Sequence, residues 1–140
     1  MQVSIKTNAK KVEKALKQKG KDINQSLKQA LSITAQEGIN IIENRTEDGV
    51  SYKGGRFKPY TEKYRVFRRN KGRGANVDLQ FTGRMLGSMT SKADRKKATI
   101  FFTRGEEAKK AAMNNKTRPF FGFNRKEERQ LAEVFFRYIK

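Results

Sequence analysis

Apolar residues recur along this chain with different spacings, and each spacing predicts a different element. Residues 2–6 alternate polar and apolar, with Val3 and Ile5 on one side. A period of two is the signature of a half-buried strand. Over residues 9–45 the spacing becomes three or four: Val12, Leu16, Ile23, Leu27, Leu31, Ala35, Gly38/Ile39 and Ile42. That spacing lays an apolar stripe along one face of a helix. Lys10, Lys14, Lys17, Lys21 and Lys28 fall off the stripe and are expected in solvent. Gly20 marks a candidate break, since glycine costs about 1 kcal/mol against alanine inside a helix. One long helix and two in series both fit the pattern. A single helix of roughly 35 residues would reach about 50 Å and project from a domain of this size.

The periodicity disappears over residues 46–76, where Gly49, Gly54, Gly55, Pro59, Gly72 and Gly74 punctuate the chain. The segment predicts an extended loop, with a short helix at residues 61–69. Alternation returns at residues 77–81, a predicted strand. Thr82 then stands where a hydroxyl can cap a short helix at 83–89. Residues 98–103 are β-branched and aromatic and predict a core strand. A short helix is expected at 106–115 and an extended apolar stretch at 117–123. Asn124 with Glu127 forms a capping pair for a last helix, which carries Leu131, Val134, Phe135 and Tyr138 on one face.

Helices and strands that do not alternate regularly predict the α+β class. The expected architecture is a single domain over residues 1–140. A long N-terminal helix and a C-terminal helix pack on a small, mainly antiparallel sheet of residues 2–6, 77–81 and 98–103, beside the long basic loop.

Composition narrows the chemistry. The chain has 140 residues and carries 33 Lys+Arg against 14 Asp+Glu, a formal net charge of +19. The excess is spread out: 9 basic against 4 acidic residues in 1–45, 9 against 4 in 46–80, and 15 against 6 in 81–140. Such a field attracts polyanions or acidic protein surfaces. Without Cys there is no disulfide or thiolate metal site, and without His the commonest general base is missing. The first residues lack the apolar core of a signal peptide. No apolar run approaches the roughly 20 residues that span a bilayer, so synthesis in the cytoplasm and no membrane partner are expected.

Four groups of residues are candidates for chemistry. The aromatics Tyr52, Phe57, Tyr60, Tyr64 and Phe67 are interleaved with Lys and Arg over residues 52–73. Cations neutralise phosphates and rings stack on bases; the plainer reading is a loop anchored to the core by its aromatics. Gly72-Arg-Gly74 loosely resembles a phosphate loop but lacks the Gly-Lys-Ser/Thr ending. The carboxylate pairs Glu47/Asp48, Glu106/Glu107 and Glu127/Glu128 would have to converge to hold a catalytic metal; as adjacent pairs they read as surface or helix-end charges. Finally, Phe120, Phe121, Phe123, Phe135, Phe136 and Tyr138 exceed what a domain this small is expected to bury. A subunit interface would absorb the surplus.

Three of these segments together resemble the tail-completion proteins of bacteriophages. Gly55-Arg-Phe57-Lys-Pro-Tyr60-Thr-Glu-Lys-Tyr64 is similar to the family's Gly-aromatic-turn-Tyr segment that begins a basic stretch. Leu79-Gln-Phe-Thr82-Gly83-Arg-Met85-Leu86-Gly-Ser88 is similar to its strand, Thr-Gly and short helix. Arg118-Pro119-Phe120-Phe121-Gly122-Phe123 resembles its Arg-Pro-Phe-Leu-Gly motif before the last helix. The family's aromatic-Ala-x-x-His-x-x-Gly element has no counterpart in residues 105–115, which hold neither His nor aromatic residues.

The resemblance implies a non-enzymatic virion protein without cofactors. It would form a homo-oligomeric ring at the neck that joins tail to head, and six-fold symmetry would suit the tail tube. The implied partners are neighbouring neck and tail proteins, with non-specific contact to packaged DNA. Tyr60, Tyr64, Arg68, Arg69 and Arg73 are then expected at partner contacts. Arg118, Pro119, Phe120 and Phe121 are expected to position the last helix. Two rivals remain open: a small basic nucleic-acid-binding protein, acting as regulator or packaging factor, and a metal-dependent nuclease.

Overall fold

In a computed structural model of the chain, residues 1–6, 10, 11, 14, 17, 23–80 and 82–139 are described. They give an α+β fold with a three-stranded antiparallel sheet in the order β1-β3-β2. The strands are β1 (Val3–Lys6), β2 (Met89–Ala93) and β3 (Lys97–Phe102). The helices among the named elements are α1 (Ile23–Glu47), α2 (Glu62–Asn70), α3 (Arg84–Gly87), α4 (Gly105–Thr117) and α5 (Arg125–Ile139). Lys10, Lys11, Lys14 and Lys17 are also helical and exposed. The expectations placed on Val12, Leu16, Gly20, Lys21 and Phe81 lie outside the described residues.

Two compact units are built from interleaved segments. The first takes residues 1–40, 90–101 and 125–140; the second takes 41–89 and 102–124.

In the first unit, the stripe read from the sequence is the buried face of α1: Leu27, Leu31, Ala35 and Ile39 are all enclosed, and Ala30, which the stripe did not include, is enclosed with them. Thr34 sits on that face too. Its hydroxyl donates to the Ala30 carbonyl at 2.7 Å, which removes the cost of burying it. Strand β1 pairs with β3 in the register Val3↔Ile100 and Ile5↔Ala98, so the apolar residues share a face. On the opposite face the Ser4 and Thr99 hydroxyls meet at 3.4 Å. Leu131 and Phe135 of α5 complete this core, and the two helices pack on the sheet as the sequence predicts. Ile33, Phe136 and Tyr138 stay largely exposed, so only part of the aromatic surplus is hidden.

The third strand is a correction. Residues 77–80 form no strand, and the sheet is completed by Met89–Ala93 instead. The reason is local. Leu79 adopts φ 58, a left-handed conformation that no strand tolerates. The Asp78 carboxylate accepts the Gln80 N–H at 2.9 Å, an Asx-type turn that competes with a ladder. Strand β2 reads Met-Thr-Ser-Lys-Ala, too polar to announce itself. It turns back into β3 where the Asp94 carboxylate accepts the backbone N–H groups of Lys96 and Lys97 at 2.7 and 2.9 Å. Those two bonds hold the exposed Asp94 carboxyl below its usual range.

The segment 46–76 is more structured than an extended loop. Thr61 caps α2 by accepting the Tyr64 N–H at 3.2 Å, as the short-helix reading anticipated. Gly72, with φ 76, closes the helix: its N–H reaches the Arg69 carbonyl at 3.0 Å, and the Arg73 N–H reaches Arg68 at 2.8 Å. This is a Schellman C-cap, and it accounts for the glycine that loosely resembled a phosphate loop. Glu43, one turn from Glu47 on α1, has its carboxyl pushed up by burial and then by its neighbour's charge. A carboxyl raised in the folded state binds protons more tightly than in the unfolded chain, so its contribution to stability falls as pH rises past the ordinary glutamate value. Glu43→Gln should therefore raise the thermal midpoint at neutral pH and leave it unchanged in acid, measured by thermal melts across pH.

Candidate partner-binding cleft

All three segments that carry the family resemblance fall in the second unit, together with α4. Arginines hold them there. Arg118 donates from Nε to the Lys58 carbonyl at 2.7 Å and from a terminal nitrogen to the Pro59 carbonyl at 3.0 Å. Its guanidinium lies 4.9 Å from the centre of the Tyr60 ring. Arg68 lies at the same distance from that ring. It donates to the carbonyls of Gly74 at 2.9 Å and Gln80 at 3.0 Å, and pairs with Asp78 at 3.4 Å. The Tyr60 hydroxyl accepts the Leu79 N–H at 3.1 Å. Residues 74–80 are thus pinned by side chains from α2 and its approach, which is why they need no ladder partners.

Between these parts lies a cleft of about 610 Å³. Tyr60, Tyr64 and Phe67 form one wall. Tyr60 and Tyr64 meet edge to face at 4.9 Å, and Tyr64 stacks with Phe67 at 6.0 Å and 22°. Lys110, Asn114 and Arg118 line it as well. Glu107 is buried, and its carboxylate lies 3.3 Å from the Lys110 ammonium. Burial pushes the Tyr60 phenol up, only partly offset by its bond from Leu79 and the nearby Arg68 charge. Tyr60 therefore stays neutral in any physiological buffer. Tyr60→Phe removes the acceptor of a buried N–H and should cost about 1–3 kcal/mol, read by urea unfolding.

The expected partner residues divide into two sets. Tyr60, Tyr64, Arg68 and Arg118 line the cleft; Arg69 and Arg73 are exposed beside it on α2 and its cap. Arg68 is only 2 % exposed, so it shapes the surface from below rather than being offered to a partner. Pro119, Phe120 and Phe121 lie away from the cleft. Phe120 and Phe121 are buried against Phe102, with ring centres 6.5 and 5.1 Å away. The Asn115 side-chain oxygen accepts both of their N–H groups, at 3.0 Å each. The Pro119 carbonyl takes the Ser51 hydroxyl at 2.8 Å. Ahead of the last helix, then, the motif is held by α4 and by residue 51.

Sequence reading misses Lys110 and Asn114, and it reads Glu107 only as one of a pair of surface or helix-end charges. The spacing of three and four that puts these residues on one face of α4 is the available signal. Sequence reading also misses Arg45, a buried residue at the end of α1. Arg45 donates to the carbonyls of Phe120 at 2.6 Å and Gly122 at 2.9 Å. Gly122 is required there, since a Cβ would meet the Tyr52 ring at 2.6 Å.

Among the described residues, no group of three or more His, Cys, Asp or Glu side chains could hold a metal ion, and no helix is long and apolar enough to cross a membrane. Comparison with known proteins returned no matching family model, curated protein or solved structure.

Proposed function

We propose that this chain is a structural subunit of a bacteriophage virion, a tail-completion protein that forms a homo-oligomeric ring at the neck between tail and head. One observation carries the reading. The segments at 55–64, 79–88 and 118–123, which bear the resemblance, interlock within one unit through Arg118 to residues 58 and 59 and through the Leu79 N–H to the Tyr60 hydroxyl. Segments this far apart in sequence behave as parts of one device. The exposed Ile33, Phe136 and Tyr138 supply apolar surface of the kind that subunit contacts cover. The work is then assembly, with no reaction and no cofactor.

The deciding experiment is to purify particles, detect the chain by mass spectrometry, and locate it with an antibody in electron micrographs. The chain should be found at the neck, and native mass spectrometry should show a closed oligomer. If it occurs only in infected cytoplasm and never in particles, the reading is overturned in favour of a free nucleic-acid-binding protein.

A further inference from the structure

Met113 keeps 71 % of its surface in solvent, more than any other large apolar side chain among the described residues. It stands on α4, in the second unit. Lys109 lies one turn before it and Lys116 one turn after, both exposed. Spacings of four and three put these side chains on one helix face. Among the described residues neither lysine belongs to an ion pair, whereas Lys110 beside them is engaged with Glu107. Glu106 shares the face two turns back. The face is an apolar knob between two cations. The first unit carries the opposite arrangement. A groove of about 460 Å³ runs between α1 and α5. Ile33, Val134 and Tyr138 give it an apolar lining, and Ile33 and Tyr138 are exposed. Glu37 from α1 and Glu133 from α5 line it too, with Arg137 the one cation. Neither carboxylate belongs to an ion pair among the described residues, in a chain of 33 Lys+Arg against 14 Asp+Glu.

A polyanion entering this groove meets two carboxylates. Groove against groove sets carboxylate against carboxylate, and α4 against α4 sets lysine against lysine. Groove against α4 sets each charge against its opposite. It also brings a flexible thioether to the Tyr138 ring, a favourable sulfur–aromatic contact. We infer that α4 of one copy docks into the α1–α5 groove of the next. Met113 is seated among Ile33, Val134 and Tyr138, and Lys109 and Lys116 turn toward Glu37 and Glu133. Two different faces make a head-to-tail contact, which closes into a ring when the rotation permits. The inference rests on the ring reading above and names the contact that would build it.

The test is native mass spectrometry and sedimentation velocity on the full chain over a range of protein concentrations. Met113→Glu should weaken self-association about 30-fold, the loss of one well-packed anchor. Glu37→Lys with Glu133→Lys should weaken it from the other side. Adding Lys109→Glu and Lys116→Glu to that pair should restore assembly. Mixed one to one, the Met113→Glu chain and the Glu37→Lys/Glu133→Lys chain should form pairs and stop there, because each keeps the face the other has lost. Met113 and Glu133 are exposed, so the variants should fold, checked by circular dichroism. Assembly that survives Met113→Glu, or no recovery in the fourfold variant, would overturn the inference and leave the ring reading standing. A wild-type chain that stays monomeric at every concentration would sink both.

Discussion

Arg45→Ala should lower the free energy of unfolding by about 3–5 kcal/mol. The change strands the Phe120 and Gly122 carbonyls, which Arg45 holds at 2.6 and 2.9 Å in a buried setting. Each buried acceptor left without a donor costs about 1–3 kcal/mol, and bonds from a charged donor lie at the upper end. The alkyl stem and the guanidinium 5.7 Å from the Tyr52 ring add packing. Arg45→Lys should recover part of the loss. Both bonds leave one terminal nitrogen of the guanidinium; an ammonium keeps the charge, but its shorter stem does not carry the nitrogen to the same place. Urea unfolding followed by far-ultraviolet circular dichroism measures both. An alanine cost below about 1 kcal/mol would mean that water or a neighbour satisfies those carbonyls, and that Arg45 does not fasten the segment.

Phe120→Ala should be as damaging, at about 3–5 kcal/mol. The side chain is fully buried, 0 % exposed, and its ring sits 6.0 Å from Phe121 and 6.5 Å from Phe102. Rigid neighbours collapse poorly into a vacated ring volume, which keeps the penalty high. Phe120→Leu should cost about 1.5 kcal/mol or less if the core repacks around a similar volume. This milder variant separates folding from function. A folded Phe120→Leu chain that still enters particles would mark the residue as a scaffold, since the ring itself touches nothing outside the molecule.

Much of the fold was legible because burial imposes a period. Leu27, Leu31, Ala35 and Ile39 are enclosed as a stripe on α1 must be, and Ala98 and Ile100 face inward as β3 demands. Leu131 and Phe135 follow the same logic on α5. The reading failed where side chains, rather than patterned burial, fix the backbone. Residues 77–80 alternate like a strand, yet Tyr60, Arg68 and Asp78 take up their backbone groups. Strand β2 escaped notice for the complementary reason: the ladder alone recruits it, with no apolar rhythm to advertise it. The cleft was half legible. Tyr60, Tyr64, Arg68 and Arg118 were singled out in advance. Lys110 and Asn114 were not, since residues on a short polar helix acquire meaning only from what folds opposite them.

Two of the cations counted in the +19, Arg45 and Arg68, are consumed indoors. They spend donors on main-chain oxygens of residues 120, 122, 74 and 80. They work as internal rivets, and rivets shielded from ions should hold equally well in brine and in dilute buffer. Titration with a polyanion should accordingly saturate below the stoichiometry implied by the formal charge. Anyone neutralising this protein to improve its handling can trim lysines from its exterior, but both of these guanidiniums must be left in place.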